Sequence, residues 1–187
     1  TKTGIKHTVT GINKENPDDY GTTYVSNWFE EDSAETGTAY HKVMENVDYD
    51  SPSVDAVAKQ IREMYDKGIL DEISLKAVDP DVVFRCLCSD IIIKARARAH
   101  MREKQFMLRV SAKDVLDGGV EDKILIQGTI DLLIPDYDKK TATVVDFKMS
   151  KLPSEIVAKR YRKQLELYAL AAENGLGLRV DKKIIYI

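Results

Sequence analysis

VVDFKMSK, residues 144–151, begins as a buried strand and then carries an acid and a base. Side chains alternate along a strand, so residues i and i+2 point to the same face. Asp146 and Lys148 therefore share one face, and Val145 and Phe147 fill the other. A carboxylate and an ammonium side by side on a strand that buries its second face point to chemistry as well as to solubility.

The preceding sequence supplies a partner strand. KILIQGTIDLLI, residues 123–134, alternates so that Ile124, Ile126, Gly128, Ile130, Leu132 and Ile134 share a face. PDYDKK reads as a turn and TATVVDFK as the returning strand. An even-length loop centred near Tyr137 to Lys139 sets Asp131 opposite or diagonal to Asp146, with Lys148 beside them. Ile130, Leu132, Val145 and Phe147 then form the apolar face; an odd-length loop would separate the acids. Two close carboxylates repel unless positive charge joins them. Lys148 supplies one charge, and Mg²⁺, which suits oxygen ligands and binds phosphates, would supply more. Such a face suits phosphodiester chemistry, with an ion polarising the phosphate and a lysine positioning the nucleophile or neutralising developing charge. Singly, each residue reads as a structural ion pair or a turn acid; the three on one face carry the expectation.

A chain of 187 residues, 43% hydrophobic, suggests one domain with a real core and appended segments. No run of about 18 apolar residues exists, so no membrane span is expected. The N-terminus lacks a signal-peptide layout and an initiator Met, which predicts a piece of a longer chain in the bacterial cytoplasm. Cys86 and Cys88 read as buried thiols on a helix, too few for a four-thiolate site. The net charge of −3 is unevenly spread: residues 11–55 hold eleven acids and two Lys/Arg, whereas 91–110 hold six Lys/Arg and one acid, Glu103. A second basic cluster, KRYRK, spans 159–163. Either cluster alone reads as a solvated helix face; two flanking an acidic site suit a polyanion.

Residues 1 to about 30 read as loop or linker. Helices are predicted from Ser33 to about Val47, from Val54 to Lys67, within LDEISLKAV, from the Asp79-Pro80 cap, and from Ser89 through DIIIKARARAH. KQFMLRVSA reads as a strand. Pro153 and Ser154 open a long amphipathic helix to about Glu173, ended by Asn174-Gly175, and KKIIYI is a last strand. Helices, a hairpin, a crossover helix and a further strand make a mixed α/β sheet domain.

G-x-x-D followed after about fifteen residues by D-x-K resembles the PD-(D/E)XK nuclease superfamily, in its RecB-like branch. Three stretches sharpen the likeness: GTAYHKVME (37–45) resembles that branch's Gly-Thr-x-x-His helix, QGTIDLLI (127–134) its second motif, and YRKQLELYALA (161–171) its Gln-x-x-x-Tyr helix. Their order, with REKQF (102–106) between, is similar to the nuclease domain of AddA-like helicase–nucleases. The likeness covers 28–187; residues 1–27 stand outside it as a linker or extension.

The resemblance implies a restriction-endonuclease-like mixed sheet flanked by helices, and roles at matching positions. His41, Asp131, Asp146 and the Phe147 carbonyl would hold the metal, Lys148 would be the catalytic lysine alongside Asp131 and Asp146, and Gln164 and Tyr168 would support the site or contact the DNA backbone. The cofactor implied is Mg²⁺ or Mn²⁺, without an iron–sulfur cluster. The implied activity is exonucleolytic DNA cleavage in double-strand-break repair, with a helicase motor in the parent chain and an AddB-like partner. A stand-alone or phage exonuclease, or an inactive DNA-binding or subunit-docking module, remain alternatives. Met149 departs from the Thr usual after the lysine. On residue type alone, His41, Gln164 and Tyr168 read as packing, Tyr161 as packing, Glu45 as a solvated acid, and Gly37 as a site of close approach; Glu103 has no assigned place.

Overall fold

The computed structural model describes residues 6–8, 26–111, 123–150 and 152–187. Helices α1 (Ser26–Asn46), α2 (Val54–Asp66), α3 (Glu72–Ala77), α4 (Pro80–Leu87) and α5 (Asp90–Arg96) precede β2 (Met101–Ser111), β3 (Lys123–Asp136) and β4 (Thr141–Phe147). Helices α6 (Ser154–Arg160) and α7 (Arg162–Leu176) then lead to β5 (Arg179–Tyr186). A short β1 (Lys6–Thr8) completes a five-stranded mixed sheet.

The local signals for the helix starts are met in detail. Ser53, Asp71 and Asp79 each accept a backbone N–H of the first turn, from Ala56, Ser74 and Asp81 respectively. Ser89 precedes α5 but makes no cap bond; its hydroxyl donates to the Cys86 carbonyl at 2.6 Å. Gly68, at φ 74°, follows the end of α2 in the left-handed region that glycine tolerates.

β3 organises the sheet. β2 runs antiparallel along Lys123–Leu133, so it takes one edge of β3. The other edge is shared in tandem: β1 pairs parallel with Leu125–Gln127, and β4 pairs antiparallel with Leu132–Asp136. β4 then pairs parallel with β5, reached through α6 and α7. The four residues 137–140 close the β3–β4 hairpin as an even-length turn.

Several expectations are corrected. Helix α1 starts at Ser26, so Ser33 lies inside it. Residues 6–8 are strand where the sequence reads as linker, because they are recruited by pairing with β3 and not by local pattern; the rest of the 1–25 linker reading lies outside the described residues. Cys86 is buried, but Cys88, just past the end of α4, is exposed. A Cβ on Gly37 would meet nothing within 4 Å, so no close approach requires glycine there. The long C-terminal helix is interrupted at Tyr161 and runs on to Gly177, whose φ of 66° ends it two residues beyond Gly175.

The largest correction concerns the faces of the hairpin. Every residue of β4 is buried, so neither face is open to water. Leu132, Ile134, Val145 and Phe147 pack with α1, α2, α4 and α5. Leu133, Ala142 and Val144, on the face of Asp131 and Asp146, pack with Leu165, Leu167 and Tyr168 of α7. Ile124, Ile126 and Ile130 join this second cluster, so the six alternating residues of β3 divide between two cores. The division falls beside Glu103 of β2, a non-glycine residue at φ 45°, in a sheet whose strands already twist by about 20–25° relative to one another. A strand covered on both faces reads as a continuous apolar run, and the acid inside it is therefore a buried acid.

Candidate active site

α1, β2 and β3 bring an imidazole and two carboxylates together. Among the described residues, ligating atoms of His41, Glu103 and Asp131 lie within 4.8 Å of one another. His41 Nδ1 is 3.4 Å from Asp131 Oδ2 and 3.9 Å from Glu103 Oε1. Burial works to lower the His41 pKa, but hydrogen bonds to Asp131 and Glu103, with the Asp131 charge, outweigh it and carry the pKa to about 10. The imidazole is thus held protonated between two acids.

Register places the acids. Leu132 faces Val145, so the next rung sets Asp131 across from Asp146. On the other edge Arg102 faces Leu132 and Lys104 faces Ile130, which sets Glu103 beside Asp131. The left-handed backbone at Glu103 belongs to a class of outlier that concentrates at functional sites. Arg102 fastens the C-terminal end of α1 to this strand: its guanidinium donates to the carbonyls of Glu45 (3.0 Å) and Val47 (2.6 Å) and lies 3.5 Å from the Tyr49 ring centroid. Asp131 is fixed in turn by the Phe147 N–H, which donates to Oδ2 at 2.7 Å.

Asp146 sits one strand over, 0% exposed. Lys148 Nζ lies 2.9 Å from both its oxygens and is aligned as a donor to Oδ1. Gln164 of α7 also donates to Oδ1, at 3.1 Å, and to the Tyr168 hydroxyl at 2.6 Å. Oδ2 is buried and accepts no hydrogen bond among the described residues. Burial, with the Asp131 charge, raises the Asp146 pKa to about 6 against the pull of Lys148 and His41. Burial and the same two acids push the Tyr168 hydroxyl up. The Lys148 ammonium also stands 4.8 Å from the Tyr161 ring centroid. Tyr161, read from sequence as packing, is the residue at which α6 gives way to α7.

Of the sequence-derived site residues, His41 and Asp131 thus meet directly, and Asp146, Lys148, Gln164 and Tyr168 form a connected pair-and-support group beside them. Phe147 enters through its N–H to Asp131. Glu103 is the member that sequence reading does not assign. It is the lone acid in a basic run, and its position opposite Asp131 depends on the β2–β3 register, which no local pattern specifies. Glu45 is exposed, as a solvated acid would be.

The donor set fits a hard divalent cation: two carboxylates and one imidazole converge, a third carboxylate stands alongside, and one of its buried oxygens lacks a hydrogen bond. A family model for the PD-(D/E)XK nuclease superfamily matches residues 17–187. The chain is 33% identical over 172 residues to the larger ATP-dependent helicase/nuclease polypeptide, AddA, of Bacillus cytotoxicus, covering 82% of this chain and 13% of that protein. Proteins of the same name from Bacillus cereus strain G9842 and Syntrophomonas wolfei are each 32% identical, over 176 and 160 residues, with the same coverage of both chains. The chain therefore spans about an eighth of the length of these relatives.

Proposed function

We propose that this chain, which belongs to the PD-(D/E)XK nuclease superfamily, hydrolyses DNA phosphodiester bonds with Mg²⁺ or Mn²⁺ as the nuclease part of an AddA-like helicase–nuclease. The observation that carries the reading is the convergence of His41, Glu103 and Asp131 beside the buried Asp146–Lys148 pair. His41, Glu103, Asp131 and Asp146 would hold the metal, together with the Phe147 carbonyl that the resemblance implies. When bound, a divalent cation polarises a phosphodiester oxygen and makes a bound water a nucleophile at neutral pH.

The chain's own groups do the remaining work. Lys148 is 17% exposed, so its ammonium acts in a partly water-excluded setting, where charge stabilisation is stronger than in bulk water. It is placed to neutralise charge developing on the phosphate or to orient the attacking water. Gln164 and the Phe147 N–H hold the two carboxylates in fixed orientation before substrate arrives. Tyr168 anchors Gln164, and as buried groups both act behind the carboxylates.

The relatives' names support a helicase–nuclease setting: a motor elsewhere in the parent chain, an AddB-like partner, and exonucleolytic processing of DNA ends in double-strand-break repair. No helix among the described residues is long and apolar enough to cross a membrane. The deciding experiment incubates purified protein and Lys148→Ala with linear single- and double-stranded DNA, with Mg²⁺ or with EDTA. Metal-dependent release of short products by the wild type alone is expected. Equal cleavage by the lysine variant overturns the assignment.

A further inference from the structure

A cavity of about 210 Å³ opens directly beside the proposed catalytic groups and shares His41, Phe147 and Lys148 with them. Its far wall is formed by α1 and α4, through Tyr40, Met44, Val82 and Val83. Met149 and Tyr186 complete it, with Arg85 and Ser150 as its polar members. Two features set it apart from leftover space. It is lined mainly by aromatic, methionine and aliphatic groups, although it adjoins a cluster of three carboxylates, a lysine and a histidine. Its polar hydroxyl at Tyr40 is already engaged, accepting the Asp79 N–H at 2.9 Å, so that ring presents carbon surface. Met149, 38% exposed, is the residue that departs from the family's usual threonine, and it lines this cavity.

Resting on the function proposed above, we infer that this cavity is a subsite for one nucleobase of the substrate, the base of a nucleotide that flanks the scissile phosphate. A phosphodiester held at Lys148 and the acids carries a nucleoside on each side, and the cavity begins where the phosphate site ends. A base offers flat apolar faces with a polar edge, which matches walls of Tyr40, Phe147, Met44 and Met149 with Arg85 and Ser150 as donors. Stacking on such walls is tolerant of base identity, because every base has a π-face. A base inside it is unstacked from its neighbours. Met149 and Val82, on opposite chain segments, are the residues that determine whether the cavity admits a base.

The test walks a single abasic site along an oligonucleotide across the cleavage position. Wild-type protein is expected to cut every version at one rate except one, slowed by about 5- to 150-fold, the range that loss of one stacked base corresponds to. Met149→Trp and, separately, Val82→Trp fill the cavity from either side; both are expected to cut intact DNA slowly and to show no additional abasic penalty. In a binding arm, Ca²⁺ replaces Mg²⁺ and 2-aminopurine replaces each base in turn. One position flanking the scissile bond should show a fluorescence change absent from Val82→Trp. Normal cleavage of intact DNA with no position-specific abasic penalty overturns the subsite and leaves the nuclease reading standing. Absence of cleavage by wild type defeats the nuclease reading instead, and the binding arm still decides the subsite: a uniform response along the strand overturns it.

Discussion

At the scale of the residue, the decisive feature is that one carboxylate, Asp146, serves two positive partners. Lys148 touches both its oxygens, and the proposed metal would use the same group. The Tyr161 ring offers the ammonium a second seat, 4.8 Å away. Tyr161→Leu should therefore lower kcat by about 2- to 30-fold, the range set by a cation–π contact of about 0.5–2 kcal/mol, with KM little changed. Tyr161→Phe keeps the ring and should restore the wild-type rate; a Phe variant as slow as the Leu variant refutes the seat. Lys148→Ala should cost at least about 100-fold in kcat, as expected for loss of a charge-stabilising group, while folding and Ca²⁺ binding persist. Glu103→Gln removes one of three converging donors. It should raise the metal concentration for half-maximal activity by about tenfold or more. An unchanged metal titration returns Glu103 to an ordinary strand acid.

At the scale of the element, the end of α7 separates two glycines that look alike in sequence. Gly175 lies inside the helix, and a Cβ there would meet nothing within 4 Å. Gly177 sits at φ 66° and its N–H closes the helix by donating to the Glu173 carbonyl at 2.9 Å. Gly175→Ala should stabilise by about 0.5–1 kcal/mol through reduced backbone entropy, and Gly177→Ala should destabilise by about 1–2 kcal/mol through left-handed strain. Thermal melts of the two variants check the opposite signs. The short α4 sets a similar contrast in its thiols. Burial pushes the Cys86 thiol up to about 11, whereas Cys88 is exposed. A thiol reagent at neutral pH should modify Cys88 rapidly and Cys86 only as the protein opens.

At the scale of the whole molecule, the site couples folding to metal and to protons. A cation bound only by the folded arrangement stabilises by RT ln(1 + [L]/Kd), about 2.7 kcal/mol at a hundredfold excess over Kd. Without metal, Asp146 is a buried acid whose pKa is raised from 3.8 to about 6. The folded protein then binds more protons there than the unfolded chain, so this group's contribution falls as pH rises from 3.8 to about 6 and stays unfavourable above. Asp146→Asn should accordingly melt at or above the wild type in EDTA at pH 7, lose that advantage toward pH 4, and gain little from millimolar Ca²⁺. Equal metal-induced shifts in both proteins would place the cation elsewhere.

The hairpin was determined by sequence alone. Alternation, the Pro-Asp-Tyr-Asp turn chemistry and loop parity put Asp131 opposite Asp146, because a strand's side-chain period leaves only two choices and the turn selects one. The caps at Ser53, Asp71 and Asp79 were equally local, each a side chain bonding a backbone group two or three residues on. His41 was named from a motif, and nothing in its own neighbourhood distinguishes it from a packed histidine. What only the tertiary structure decided is everything set by contact between distant segments: the strand at residues 6–8, the burial of the Asp146 face under α7, Glu103 beside Asp131, and Tyr161 against Lys148. These depend on inter-strand register and on how a helix crosses a sheet. Both are set by the summed burial of two cores, and a window of sequence carries no record of that sum.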